Sequence, residues 1–118
     1  MANRKEPFEG RETGTAAATT KTLRWTPPDS NRRYCVQRLV VRDNTHNFTS
    51  FEVVLRGAGY DRPVCDEHGC VVKYDYWYNE DVWVAGSRTI EVDFAGITSG
   101  DILSFILDGY SVDARGEL

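Results

Sequence analysis

The sequence predicts an all-β protein: an antiparallel β-sandwich, jelly-roll-like in its connections, preceded by a flexible N-terminal arm. Three observations carry this. Apolar and polar residues alternate with a period of two in several short segments, as half-buried strands require. Those segments recur at spacings of roughly 8–12 residues, separated by Gly, Asp, Asn and Pro clusters. No stretch combines a helical apolar period with recognisable helix caps.

Residues 1–20 read as the arm. Met1 to Gly14 is polar and mixed in charge, and Thr15-Ala16-Ala17-Ala18-Thr19-Thr20 is small and featureless. Such a stretch buries too little apolar surface to offset its ordering entropy. A neighbouring subunit would hold it, or it folds back on its own domain as an extra strand over Thr19 to Trp25. The sandwich domain is expected over residues 21–113, with a short tail at 114–118.

After the Pro27-Pro28-Asp29-Ser30-Asn31 turn signal, Tyr34 to Arg42 is expected as a strand. Cys35, Leu39 and Val41 share one of its faces with Gln37, and Val36, Arg38, Val40 and Arg42 share the other. Asp43 to Asn47 breaks it. Phe51, Val53 and Leu55 alternate with Glu52, Val54 and Arg56, which turns the first set inward. Gly57-Ala58-Gly59 ends that strand. Val71 to Tyr78 is rich in β-branched and aromatic residues, and Val82-Trp83-Val84 forms a short piece after it. Ile90, Val92 and Phe94 alternate with Thr89, Glu91 and Asp93. The turn Gly96 to Asp101 leads into Ile102 to Leu107, which is apolar on both faces and belongs at the centre of a sheet or under another surface. Beyond Asp108-Gly109, Tyr110 and Val112 are expected to point inward. An immunoglobulin-like sandwich would set two cysteines on either side of a tryptophan, and Cys35 with Cys65 or Cys70 brackets none.

Composition narrows the function. The 118 residues carry 41% apolar and 27% charged side chains, as an ordinary globular domain does. A net charge of −4 argues against a nucleic-acid partner, which would call for a basic face. No apolar run reaches the roughly 20 residues of a membrane span, so no membrane insertion is expected. The first residues lack the apolar core of a secretory signal. Arginine outnumbers lysine eleven to three, a bias that suits bidentate pairing with carboxylates.

Three cysteines are too few for a disulfide scaffold. Cys65-Asp66-Glu67-His68-Gly69-Cys70 reads as a tight hairpin. If Val64 and Val71 lie on adjacent antiparallel strands, Cys65 and Cys70 oppose each other within disulfide range. Free thiols are the second reading. A metal site would use Cys65, Cys70 and His68 with Cys35, His46 or Asp66, but structural zinc calls for a second close ligand pair that this sequence lacks. No metal and no cofactor is therefore assigned.

The aromatic run Tyr74, Tyr76, Trp77, Tyr78 and Trp83 is the densest on the chain. In a strand, Tyr74, Tyr76 and Tyr78 take one face and Trp77 the other, one serving the core and the other free for contact. Catalytic templates fail. Gly57-Ala58-Gly59-Tyr60-Asp61-Arg62 lacks the third glycine of a dinucleotide fingerprint, and neither G-x-S-x-G nor H-E-x-x-H occurs. Asp93, Asp101, Asp108 and Asp113 flank turns, where carboxylates usually cap or face solvent. The expectation is a protein that is not an enzyme.

A polar N-terminal arm before a short sandwich, with Ile90-Glu91-Val92-Asp93-Phe94 and the two-faced apolar run Gly100-Asp101-Ile102-Leu103-Ser104-Phe105, resembles the small β-sandwich and jelly-roll virion proteins of tailed viruses, of the capsid decoration, turret or tail-associated type. The resemblance implies a virion location, trimers, and terminal arms that lash subunits to other virion proteins. On it, the first functional reading is a structural assembly protein. Phe8 and Thr15–Thr22 would make the arm contacts, and Trp77, Tyr78 and Trp83 the subunit face. The alternative is a carbohydrate- or receptor-binding module in which Tyr76, Trp77 or Trp83 stacks on a host glycan.

Overall fold

The computed structural model of the chain describes residues 5–57 and 59–114. Met1 to Arg4 of the expected arm, and the expected tail apart from Ala114, lie outside the described residues. Nine strands are seen among the described residues: β1 (Glu6–Thr15), β2 (Thr20–Trp25), β3 (Arg32–Asp43), β4 (Phe48–Arg56), β5 (Arg62–Cys70), β6 (Tyr76–Tyr78), β7 (Val82–Ala85), β8 (Thr89–Ala95) and β9 (Ile102–Asp113). They build two antiparallel sheets packed as a sandwich. The first runs β1-β9-β3, with β6 and β7 each pairing with a different part of β3, and the second runs β2-β8-β4-β5. Taken as one interrupted strand, β6 and β7 complete the eight-strand order of a jelly roll.

Alternation in the sequence becomes burial where it was expected. Phe51, Val53 and Leu55 of β4 and Ile90, Val92 and Phe94 of β8 face the core, and they pair directly across the second sheet. Leu103, Phe105 and Leu107 of β9 face them from the first sheet. β9 lies between β1 and β3, with Leu103, Phe105 and Leu107 on the core and Ile102 and Ile106 on the outer face of the sheet. No helix among the described residues is long and apolar enough to cross a membrane.

Four expectations need correction. The first is the arm: it folds back on its own domain, with β2 at Thr20–Trp25 where the extra strand was expected, but residues 6–15 are a strand as well, β1, a ten-residue edge strand paired along its whole length with β9. Its core-side positions are Phe8, Gly10, Glu12 and Gly14, which give almost no apolar signal. The glycines leave room for side chains of β2: a Cβ on Gly10 would stand 2.5 Å from Trp25 Nε1, and one on Gly14 2.8 Å from Leu23 Cδ2.

The second is the facing of β3. Its register with β9 shifts between Val36 and Arg38, so Gln37 is a bulge residue. One extra residue inverts the alternation. Tyr34 and Val36 face the core before the bulge and Leu39 and Val41 after it, while Cys35 turns to the outer side.

The third is the end of β9. Beyond Leu107 the inward positions fall to Gly109 and Ser111, so Tyr110 and Val112 point outward, opposite Cys35 and Arg33. Gly109 lies across from the Gln37 bulge, where a Cβ would overlap the carbonyl oxygen of Cys35.

The fourth is the expected Cys65–Cys70 hairpin. β5 runs straight through both cysteines, with Cys65 opposite Val53 and Cys70 opposite Phe48. Five residues along one strand set them roughly 16 Å apart, beyond any disulfide. The reversal between β4 and β5 occurs earlier, where Arg88 donates to the carbonyls of Leu55 and Tyr60 at 3.2 Å each.

Candidate functional site

The two outer faces of the sandwich differ in kind. The second sheet presents a charged face whose arginines are ion-paired. Arg56 donates to Glu91 (2.8 Å), Asp93 (2.6 Å) and Asp61 (2.7 Å), and Arg24 also reaches Glu91 at 2.8 Å. Thr22 donates to Asp93 at 2.6 Å. Such a paired and hydrated surface has little to gain by being covered.

The outer face of the first sheet is apolar in its middle and aromatic along one edge. A single row of partners crosses it: Arg11 of β1 opposite Ile106 of β9, Ile106 opposite Val40 of β3, and Val40 opposite Trp77 of β6. Alternation fixes these residues outward, because their neighbours Leu39, Val41, Phe105 and Leu107 fill the core. Arg38 flanks the row on one side, paired with Asp108 at 2.6 Å. Arg42 flanks it on the other, 3.3 Å from Asp75. Together they shape a groove of about 250 Å³ whose wall includes Trp77. The Arg38 guanidinium also lies 5.3 Å from the centre of the Trp77 ring, a cation–π geometry.

A second aromatic station stands on the same face. Trp83 of β7 lies opposite Cys35 and meets Tyr110 edge-on at 5.8 Å. The Arg33 guanidinium sits 5.2 Å from the Trp83 ring, and Lys5 Nζ sits 4.6 Å from the Tyr110 ring. Trp77 remains 55% exposed, Trp83 41% and Ile102 52%. Large apolar groups gathered on one sheet face are the usual mark of an interaction surface.

The structure sorts the expected contact residues. Trp77 and Trp83 lie on this face. Tyr76 and Tyr78 turn toward the core, as strand alternation demands. The Tyr76 ring packs 5.7 Å from Phe51, and its hydroxyl accepts the Val71 N–H at 2.7 Å. The Tyr78 hydroxyl donates to Glu80 at 3.0 Å. Phe8 is no arm contact: it stacks on Trp25 at 5.5 Å and meets Tyr34 edge-on at 5.1 Å.

All three cysteines are free thiols. Burial, then Asp66 and Glu67, push the Cys65 thiol up to about 11. Burial, then Glu67, raise Cys70 to about 11 as well. Both stay protonated near neutrality and are poor nucleophiles. Among the described residues, no three His, Cys, Asp or Glu side chains are grouped to hold a metal ion.

Sequence reasoning missed two features. Arg11 falls within residues 1–20, whose polar composition reads as a flexible arm, and carries no signal of its place on a sheet face. Asp43 and Asp101, both fully buried, were read as turn residues. Their burial had no local signal, because each is covered by loops distant in the chain.

No protein-family model matches this chain, and no curated protein matches it. Among solved structures it is similar to chains of infectious bursal disease virus. For the Gx strain the TM-score is 0.43 at 12% identity over 94% of this chain, and for the Gt strain 0.41 at 15% over 93%. For T=1 particles derived from infectious bursal virus it is 0.40 at 9% over 98%. These are structures of a birnavirus, not of a tailed virus. The chain spans 32%, 32% and 42% of the length of those chains.

Proposed function

We propose that this chain is a non-enzymatic structural subunit of a virus particle, joined to further copies of itself through the outer face of its first sheet. The observation that carries the reading is the contrast between the two outer faces. One presents Trp77, Trp83 and Ile102 beside an apolar row, and the other is an ion-paired surface. Jelly rolls commonly serve as viral capsid and lectin domains, so the fold is compatible with the role without dictating it. The finer form of the proposal is a decoration, turret or tail-associated subunit that forms trimers, with the two tryptophans as the centre of the contact. Buried aromatic anchors with arginine neighbours are what energetic centres of interfaces are made of.

The test is native mass measurement of the purified chain beside a Trp77→Ala/Trp83→Ala variant. The expected result is an oligomer that becomes a folded monomer in the variant. A wild-type chain that stays monomeric at all attainable concentrations would overturn the proposal.

One observation favours a second reading. The groove beside Trp77 combines an aromatic wall with arginine donors, which suits a sugar ring carrying a carboxylate. Under this reading Trp77→Ala abolishes binding on a glycan array and leaves the oligomeric state untouched.

A further inference from the structure

At one end of the sandwich, the loop between β3 and β4 meets the loop between β8 and β9. Two aspartates close this junction, and both are fully buried. Asp43 Oδ1 accepts the backbone N–H of Thr45 at 2.8 Å and of His46 at 3.1 Å, which folds the first loop. Asp101 Oδ2 accepts the N–H of Thr98 at 3.0 Å, which folds the second. Asp101 Oδ1 lies 2.5 Å from His46 Nδ1, and since a carboxylate only accepts, that nitrogen carries the hydrogen.

The remaining oxygen, Asp43 Oδ2, is buried and meets no N–H or O–H donor among the described residues. The Asp43 and Asp101 carboxyls interact side chain to side chain. Two ionised carboxylates in such contact repel, and one shared proton turns repulsion into a strong hydrogen bond.

We propose that Asp43 and Asp101 form a proton-shared latch, which ties the β3–β4 loop to the β8–β9 loop and loosens as the pH rises. The ionisable groups facing the pair are these two carboxyls and the His46 imidazole. The other two loops at this end contribute backbone only: Ala16 donates its N–H to the Asp101 carbonyl and Lys73 to the Asp43 carbonyl, each at 2.8 Å. The proton resides on Asp43. Burial pushes its carboxyl above the ordinary range, and the Asp101 carboxyl adds to this. For Asp101 burial acts in the same upward sense, but it is outweighed by the bonds from His46, Thr98 and Asp43, and the group is lowered.

The direction of the effect follows from linkage. Asp43 holds its proton more tightly when the latch is closed, so its contribution is whole below the ordinary aspartate value and is lost as pH rises through its elevated one. Asp101 behaves oppositely, and its contribution is lost only as pH falls through its lowered value. The latch is therefore tightest near the ordinary aspartate range of about pH 4 and weakens on both sides.

Carbon-detected NMR of the Asp43 and Asp101 carboxyls, with amide exchange at Thr45 and His46, tests this from about pH 4 to about pH 8. In the wild type, protection corrected for intrinsic rates should fall about tenfold per pH unit until Asp43 is ionised, and then level off. Asp43→Asn presents a permanent donor to Asp101 and should hold protection flat. Should that variant fail to fold, the wild-type carboxyl titrations decide the matter alone. Two carboxyls titrating independently at ordinary values would overturn the latch, as would an Asp43→Asn chain that keeps the wild-type pH dependence.

Discussion

Gly10 of β1 faces the indole of Trp25 in β2, so close that a Cβ on Gly10 would stand 2.5 Å from Trp Nε1. The edge strand of the first sheet is thus fitted to a side chain of the second, and the two sheets are locked where Phe8 also stacks on Trp25. Trp25 is buried and has nowhere to retreat. Gly10→Val should destabilise the fold by about 1–3 kcal/mol, the usual cost of overpacking. Urea denaturation of the purified variant measures it; an unchanged midpoint would mean that β1 does not pack there.

The bulge at Gln37 sets which side of β3 faces the core, and this can be separated from side-chain chemistry. Gln37→Ala keeps the extra residue and should change stability by less than about 1 kcal/mol. Deleting Gln37 leaves Tyr34, Val36, Leu39 and Val41 on one face of an unbroken alternation. That chain should keep its near-UV circular dichroism, and its loss would show that the bend made by the bulge is itself required.

Neighbouring aromatics of β6 should answer differently to truncation. Tyr76→Phe strips the acceptor from the Val71 N–H, now 2.7 Å away, and should cost about 0.5–1.5 kcal/mol. Trp77→Ala, on the exposed face, should stay within about 0.5 kcal/mol of the wild type. Equal losses in chemical denaturation would place both rings in the core.

The thiols of Cys65 and Cys70 are each pushed up to about 11. Native protein should therefore resist iodoacetamide near neutral pH and react at both sites once unfolded. The folded state holds these protons more tightly than the unfolded chain, so stability should decline as pH climbs from about 9 toward about 11. Oxidation should yield no Cys65–Cys70 cross-link within one chain, which peptide mass mapping would detect.

How far the fold could be read from the sequence depended on what each strand buries. β4 and β8 are half-buried strands in the middle of the second sheet, and their period of two was plain in Phe51 to Leu55 and Ile90 to Phe94. β1 was illegible because two of its core-side positions are glycines accommodating Trp25 and Leu23. β5 is an edge strand whose Asp66, Glu67 and His68 stay exposed, so Arg62 to Cys70 looked like a loop. A bulge such as Gln37 leaves no trace in composition, and it misplaced Cys35. Of the candidate site, alternation alone separated Trp77 from its tyrosine neighbours. The row from Arg11 to Trp77 needed the sheet order, since it joins four strands.

The gap between β6 and β7 bears on how copies of this chain can meet. A long, unbroken outer strand would offer a row of unsatisfied amides and carbonyls, an invitation to open-ended fibre growth. Here that rim is split into one piece of three residues and another of four, separated by Asn79, Glu80 and Asp81. Hydrogen-bonded extension along this rim is discouraged, whereas the opposite rim, β1, stays unbroken over ten residues.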